Sequence, residues 1–122
     1  MPKAKPVILI VEGEYLLRMD SAETLEGGGF EVVLAANADE AIVILSARSD
    51  IHLVFTDIQM PGSMDGLKLA RVRPRPLAIK IVATSGHVRA VSDELPAGSV
   101  FLPKPYLGAE LIATLRDMTG IS

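Results

Sequence analysis

The 122-residue sequence has no cysteine and no tryptophan, and only 4% of it is aromatic. Without cysteine there is no disulfide framework, no thiolate metal site and no thiol nucleophile. A strong excess of one charge is missing too: 12 Lys and Arg stand against 15 Asp and Glu, for a net charge of −3. That balance argues against a nucleic-acid surface or an anionic-membrane surface, since both want clustered positive charge. Long apolar runs are also absent. Val7–Val11 ends far short of the ~20 residues a membrane span needs, and residues 1–5 do not read as a signal peptide. What is present is a 49% hydrophobic chain with ordinary charge content, which excludes a disordered chain. The length fits one domain that buries about two-thirds of its unfolded surface. One cytoplasmic-type domain over residues 1–122, with its core at about 7–118, is the expectation.

Short aliphatic runs alternate with amphipathic stretches. Val7–Val11 is apolar at every position, the pattern of a strand buried on both faces. Tyr15, Leu16, Met19, Ala22 and Leu25 follow at helical spacing, until Gly27, Gly28 and Gly29 stop the helix. Residues 30–35 read as a second strand. Asn37 then caps a helix, with Glu40 at its third position and Ala38, Ala41, Ile42 and Leu45 as its stripe. Residues 51–56 make a third strand, interrupted by His52, and a loop at 60–64 leads to a short helix at 66–72. Pro74 and Pro76 precede a fourth strand at 79–84. A short helix at 88–94, a fifth strand at 99–102 and a last helix carrying Leu107, Leu111, Leu115 and Met118 complete the chain.

Strands alternating with helices predict an α/β fold: a doubly wound, five-stranded parallel sheet with helices on both faces. In such sheets the site lies beyond the carboxyl ends of the strands. The residues there are Glu12, Gly13 and Glu14, then Asp57, then Thr84 and Ser85, then Lys104. Converging carboxylates suit a hard cation such as Mg²⁺, an ammonium suits a phosphoryl oxygen, and a hydroxyl donates to another. His52 and His87 have no second His or Cys at ligand spacing, so they read as satisfied or solvated histidines.

With these pieces in order the chain resembles the receiver domain of two-component response regulators. The resemblance is carried by Ile8-Leu9-Ile10-Val11-Glu12, by Thr56-Asp57-Ile58-Gln59-Met60-Pro61-Gly62, by Met64-Asp65-Gly66, by Ala83-Thr84-Ser85-Gly86 and by Phe101-Leu102-Pro103-Lys104-Pro105. It covers residues 7 to about 118. It implies a flavodoxin-like strand order, 2-1-3-4-5, and a signalling role rather than an enzyme's. With no segment after Ser122 to serve as output, a stand-alone receiver is expected. Asp57 would accept a phosphoryl group from a histidine kinase or a phosphotransfer protein, and Lys104 would contact it. Thr84 would be the switch hydroxyl and Phe101 the switch aromatic. Mg²⁺ would be held through Glu12, Asp57 and the backbone carbonyl of Gln59, and the Lys104–Pro105 bond would be cis. Beyond the phosphodonor, the resemblance implies a downstream protein target and a monomer or weak homodimer.

One position departs from the family pattern. Receivers usually carry two adjacent acids after the first strand, and here the second is Gly13. Losing that carboxylate is expected to weaken Mg²⁺ binding, with Glu14 more suited to opening the next helix than to replacing it. The alternative reading is therefore a pseudo-receiver, an interaction module on the same fold that works without phosphorylation. A hydrolase working through an aspartyl phosphate would want an acid at Gln59, and a nucleotide binder would want a Gly/Ser/Thr-rich loop where Glu12 and Glu14 stand.

Overall fold

The computed structural model describes residues 5–57, 80–85 and 99–120. The expected helices at 66–72 and 88–94, the loop at 60–64, Gln59, Pro74, Pro76 and His87 lie outside the described residues. Five strands are present: β1 (Val7–Val11), β2 (Glu31–Ala35), β3 (Ile51–Asp57), β4 (Lys80–Ser85) and β5 (Val100–Pro103). Three helices are described, α1 (Tyr15–Gly27), α2 (Ala38–Ala47) and α3 (Gly108–Thr119). The strands form one all-parallel sheet in the order β2-β1-β3-β4-β5.

Strand alternation divides the core in two. Ile8, Ile10, Leu53, Phe55, Val82 and Leu102 point to one face, where Ala22 and Leu25 of α1 and Leu111 and Leu115 of α3 cover them. Val7, Leu9, Val11 and Val54 point to the other face, against Ala38 and Ala41 of α2. β1 runs between β2 and β3 and is buried along its whole length, as its unbroken apolar pattern requires. Hydrogen bonds tie α3 to its surroundings: Arg116 Nη2 donates to the Gly28 carbonyl at 3.0 Å, and Lys80 Nζ donates to the Met118 carbonyl.

Several boundaries differ from the sequence expectation for local reasons. Phe30 is buried but precedes β2, because its N–H closes the end of α1 on the Leu25 carbonyl; the ladder starts when Glu31 N–H meets the Pro6 carbonyl. His52 does not interrupt β3 but bulges from it. Val7 pairs with Ile51 and Ile8 with Leu53, and the extra residue turns its Nδ1 to accept the Val7 N–H at 2.9 Å. His52 is thus a satisfied histidine.

The expected stripe on α1 is corrected as well. Only Ala22 and Leu25 are buried, while Tyr15 and Leu16 are 63% and 76% exposed. In this parallel sheet the helix begins past the carboxyl end of β1, so its first turn overhangs the sheet and packs on no strand. Leu107, 70% exposed, is not on the buried face of the last helix but at its N-cap, where its N–H donates to Glu110 Oε1 at 2.9 Å. Asn37 caps α2 as expected, accepting the Glu40 N–H at 2.9 Å, while the Glu40 carboxylate takes the Ala36 N–H at 2.7 Å.

Candidate functional site

Parallel strands deliver their carboxyl ends to one edge, and alternation selects which side chains share a face there. Glu12 continues the Ile8–Ile10 series, Asp57 continues Leu53–Phe55, Thr84 continues Val82, and Lys104 continues Leu102. All four therefore lie on the face covered by α1 and α3. Asp57 pairs with Thr84 across β3 and β4, and Val11 with Thr56 across β1 and β3, which sets Glu12 beside Asp57. Lys104 Nζ reaches Asp57 Oδ2 at 2.6 Å, a charge-assisted contact between two largely enclosed side chains. The Lys104–Pro105 bond is cis.

The β1–α1 turn is built around Glu12. Its N–H bonds to the Ala35 carbonyl at 3.1 Å, and its Oε2 accepts the Glu14 N–H at 2.9 Å. Arg18, whose guanidinium lies over the Tyr15 ring, donates to the Glu12 carbonyl at 2.7 Å. Glu14 is the N-cap residue of α1 and exposed, so it opens the helix. Gly13 brings no donor to the site. A Cβ there would stand 3.7 Å from the Ala36 carbonyl, an ordinary contact, so the position admits a side chain.

Burial pushes the Glu12 carboxyl above the ordinary glutamate range, and the hydrogen-bonded, negatively charged Asp57 pushes it further; the Glu14 N–H and Lys104 oppose the rise. Two neighbouring carboxylates sharing one ammonium form a place that favours a proton or a cation. Thr84 is only 2% exposed, and its hydroxyl has no hydrogen-bond partner among the described residues. The Thr56 hydroxyl, on the opposite face, is likewise buried and without a partner among the described residues.

Of the residues singled out from sequence, Glu12, Asp57, Thr84 and Lys104 meet at one edge. Phe101 does not join them: it pairs with Ala83, and alternation turns it to the face away from Thr84 and Lys104, half-buried. Gln59 lies outside the described residues. Sequence reasoning passed over Arg18 and Tyr106. Position alone marked both, Arg18 one turn into α1 above the strand ends and Tyr106 directly after Lys104-Pro105.

Comparison with known proteins agrees with this arrangement. The profile of the response regulator receiver domain matches residues 8–116. The chain belongs to the response regulator receiver family. It is 34% identical over 116 residues to the sensor kinase CckA of Brucella abortus, covering 91% of this chain and 12% of that protein. To the response regulator protein FleR of Pseudomonas aeruginosa it is 36% identical over 109 residues, 86% of this chain and 23% of that one. The receiver thus spans a minor part of both relatives. Among solved structures, a response regulator receiver protein from Sinorhizobium medicae superposes with a TM-score of 0.82 at 31% identity, covering 95% of each chain. These matches place the receiver in two-component signalling. Among the described residues, no helix is long and apolar enough to cross a membrane.

Two predictions follow from the buried polar groups. A glutamate with a raised folded pKa is ionised at a cost to stability; the cost is present in full above the folded value and is relieved as pH falls through it. Glu12→Gln, which can still accept from Glu14 and donate to Asp57, is therefore more stable than the parent at neutral pH in metal-free buffer. Urea titrations show this gap closing as acid protonates Glu12 in both folded and unfolded chains. Thr84→Val replaces a buried hydroxyl that has no partner among the described residues by a methyl group of the same shape, and raises the unfolding free energy of the unphosphorylated protein by about 1 kcal/mol.

Proposed function

We propose that Asp57 accepts a phosphoryl group from a histidine kinase or phosphotransfer protein, and that the resulting acyl phosphate changes how the receiver contacts a downstream protein. The observation that carries this reading is the buried Thr84 hydroxyl, without a hydrogen-bond partner among the described residues, on the strand beside the Asp57–Lys104 pair. A buried donor without an acceptor costs free energy, and a phosphoryl group on Asp57 supplies three acceptor oxygens.

In the transfer, a carboxylate oxygen of Asp57 attacks phosphorus, the phosphorus–nitrogen bond of the phosphohistidine breaks, and the imidazole leaves with that electron pair. Lys104, already 2.6 Å from Asp57, offers its ammonium to the phosphoryl oxygens, and Thr84 donates its hydroxyl to another of them. The product adds about −1.5 to −2 of charge at one carboxylate, which biases a surface with two arrangements. The chain acts as a signalling module rather than as an enzyme. A monomer or weak homodimer is the assembly this reading carries.

Receiver domains in general bind Mg²⁺. The donor set here fits such an ion: Mg²⁺ takes one or two carboxylates and fills its shell with waters and phosphate oxygens. Glu12 and Asp57 are two adjacent carboxylates whose mutual repulsion a cation relieves. They would hold the ion, with the backbone carbonyl of Gln59 as a third donor, and bound Mg²⁺ would neutralise charge on the phosphoryl oxygens. Gly13 leaves this set one carboxylate short of the usual family pattern, and that observation favours the second reading, a pseudo-receiver working without phosphate.

Intact-mass spectrometry after acetyl phosphate treatment separates the two. A Mg²⁺-dependent gain of one phosphoryl mass, absent in Asp57→Asn, is the expected result. No gain, together with no NMR shifts on adding millimolar Mg²⁺, would establish the phosphate-independent module. Because position 13 admits a side chain, Gly13→Asp folds normally and binds Mg²⁺ tighter by roughly tenfold, the change that about 1.4 kcal/mol gives. A Mg²⁺ titration followed by NMR checks this.

A further inference from the structure

The turn that carries Glu12 is held at the N–H, the carbonyl and the carboxylate of that residue. Its N–H donates to the Ala35 carbonyl at the end of β2, its Oε2 accepts the Glu14 N–H at 2.9 Å, and its carbonyl accepts from Arg18 Nη1 at 2.7 Å. The last of these bonds ties the strand end to a side chain of α1. Arg18 also closes the turn through its backbone, whose N–H donates to the Glu14 carbonyl at 2.9 Å. It is half-buried while residues 13–17 are all exposed, and its guanidinium carbon stands 5.7 Å from the centroid of the Tyr15 ring. Glu14, the N-cap residue of α1, makes no side-chain cap bond, unlike Asn37 at the start of α2.

β1 ends at Val11 and α1 starts at Tyr15, so three residues make the connection. Gly13, with no Cβ, has the most backbone freedom of the three, and it directly follows the residue whose carboxylate lies beside Asp57. A guanidinium suits the task of restraining such a turn. Its fork is planar and rigid, and it stacks on an aromatic face while an N–H donates elsewhere. Closed on by Arg18, the Glu12 carbonyl is fixed relative to α1, and with it the backbone from which the carboxylate springs. A guanidinium placed for solubility alone would need neither the ring beside it nor a backbone acceptor.

We propose that Arg18 is a positioning residue for the Glu12 carboxylate: stacked on Tyr15 and bonded to the Glu12 carbonyl, it restores to the β1–α1 turn the restraint that Gly13 takes away. The consequence for Mg²⁺ binding rests on the reading of the site given above, whereas the placement of Glu12 can be read without it.

The test compares the full chain with Arg18→Met and Tyr15→Ala, and repeats Arg18→Met on a Gly13→Ala background. The first readout is hydrogen exchange by NMR of the Glu14 amide, held by Glu12 Oε2, against the Glu40 amide, held in the same way by Asn37. The second is a Mg²⁺ titration followed by NMR. Arg18→Met speeds Glu14 exchange about fivefold, the order that one net hydrogen bond gives, and leaves Glu40 unchanged. Hydroxide catalyses this exchange, so losing a nearby positive charge would by itself slow it. Tyr15→Ala speeds Glu14 exchange about twofold. On the Gly13→Ala background the effect of Arg18→Met shrinks to about twofold, because alanine already restricts the turn. Mg²⁺ binding weakens in Arg18→Met, although removing a positive charge alone would strengthen it. Unchanged or slower Glu14 exchange in Arg18→Met would overturn the proposal, as would an equal rise at Glu40 or an acceleration that is the same on both backgrounds. Tyr15→Ala, at a well exposed position, keeps the test open if Arg18→Met folds poorly. Should the parent chain bind no Mg²⁺, the reading of the metal site fails and Glu14 exchange alone decides the role of Arg18.

Discussion

A parallel sheet covered on both faces has no place for a charge along its strands. Every ionisable side chain that the sheet carries inward must sit where a strand runs out, and there it meets the ends of its neighbours. This constraint gathers Glu12, Asp57 and Lys104 on one edge, with the neutral Thr84 between strands β3 and β5. The Lys104–Asp57 contact is the local settlement of that crowding: one ammonium serves a carboxylate that already has a second carboxylate beside it. Half-enclosed, such a pair gains strength from reduced screening, yet leaves the acidic side of the site in excess.

That excess gives the replacement at position 13 its meaning. A third carboxylate here would add to the rise of the Glu12 pKa that burial first, and the neighbouring Asp57 second, already produce. Gly13 lessens the electrostatic load on the metal-free fold and, by the same step, lessens the attraction for a divalent cation. Stability without the ion and affinity for it draw on the same carboxylates, so a change in one is a change in the other.

Most of the sheet was legible in the sequence because its cause is local. Val7–Val11, apolar at every position, can only be a strand with two covered faces, and the residues closing each strand then fall at a common edge by topology alone. Glu12, Asp57, Thr84 and Lys104 were found in this way. What escaped depends on three-dimensional placement that periodicity does not encode. Tyr15 and Leu16 have helical spacing but no sheet beneath them, since α1 starts beyond the end of β1. Phe30 is hydrophobic enough for a strand, yet its N–H is already committed to the turn that ends α1. Phe101 shares a strand with Leu102 but, one residue out of phase, looks the other way. Tyr106 and Phe55 are far apart in the chain, and neither alone suggests that their rings meet edge-on.

The bulge at His52 bears on more than the start of β3. Ile51 belongs to the α2 side of the sheet and Leu53 to the α1–α3 side, although a regular strand would place both on one side. The extra residue inverts the phase of everything downstream of it. Counted from Ile51 without that inversion, Asp57 would face α2, with the sheet itself between it and Glu12, Thr84 and Lys104. A histidine at the far end of the strand, holding one N–H of Val7, thus fixes the parity by which a carboxylate five residues later finds its lysine.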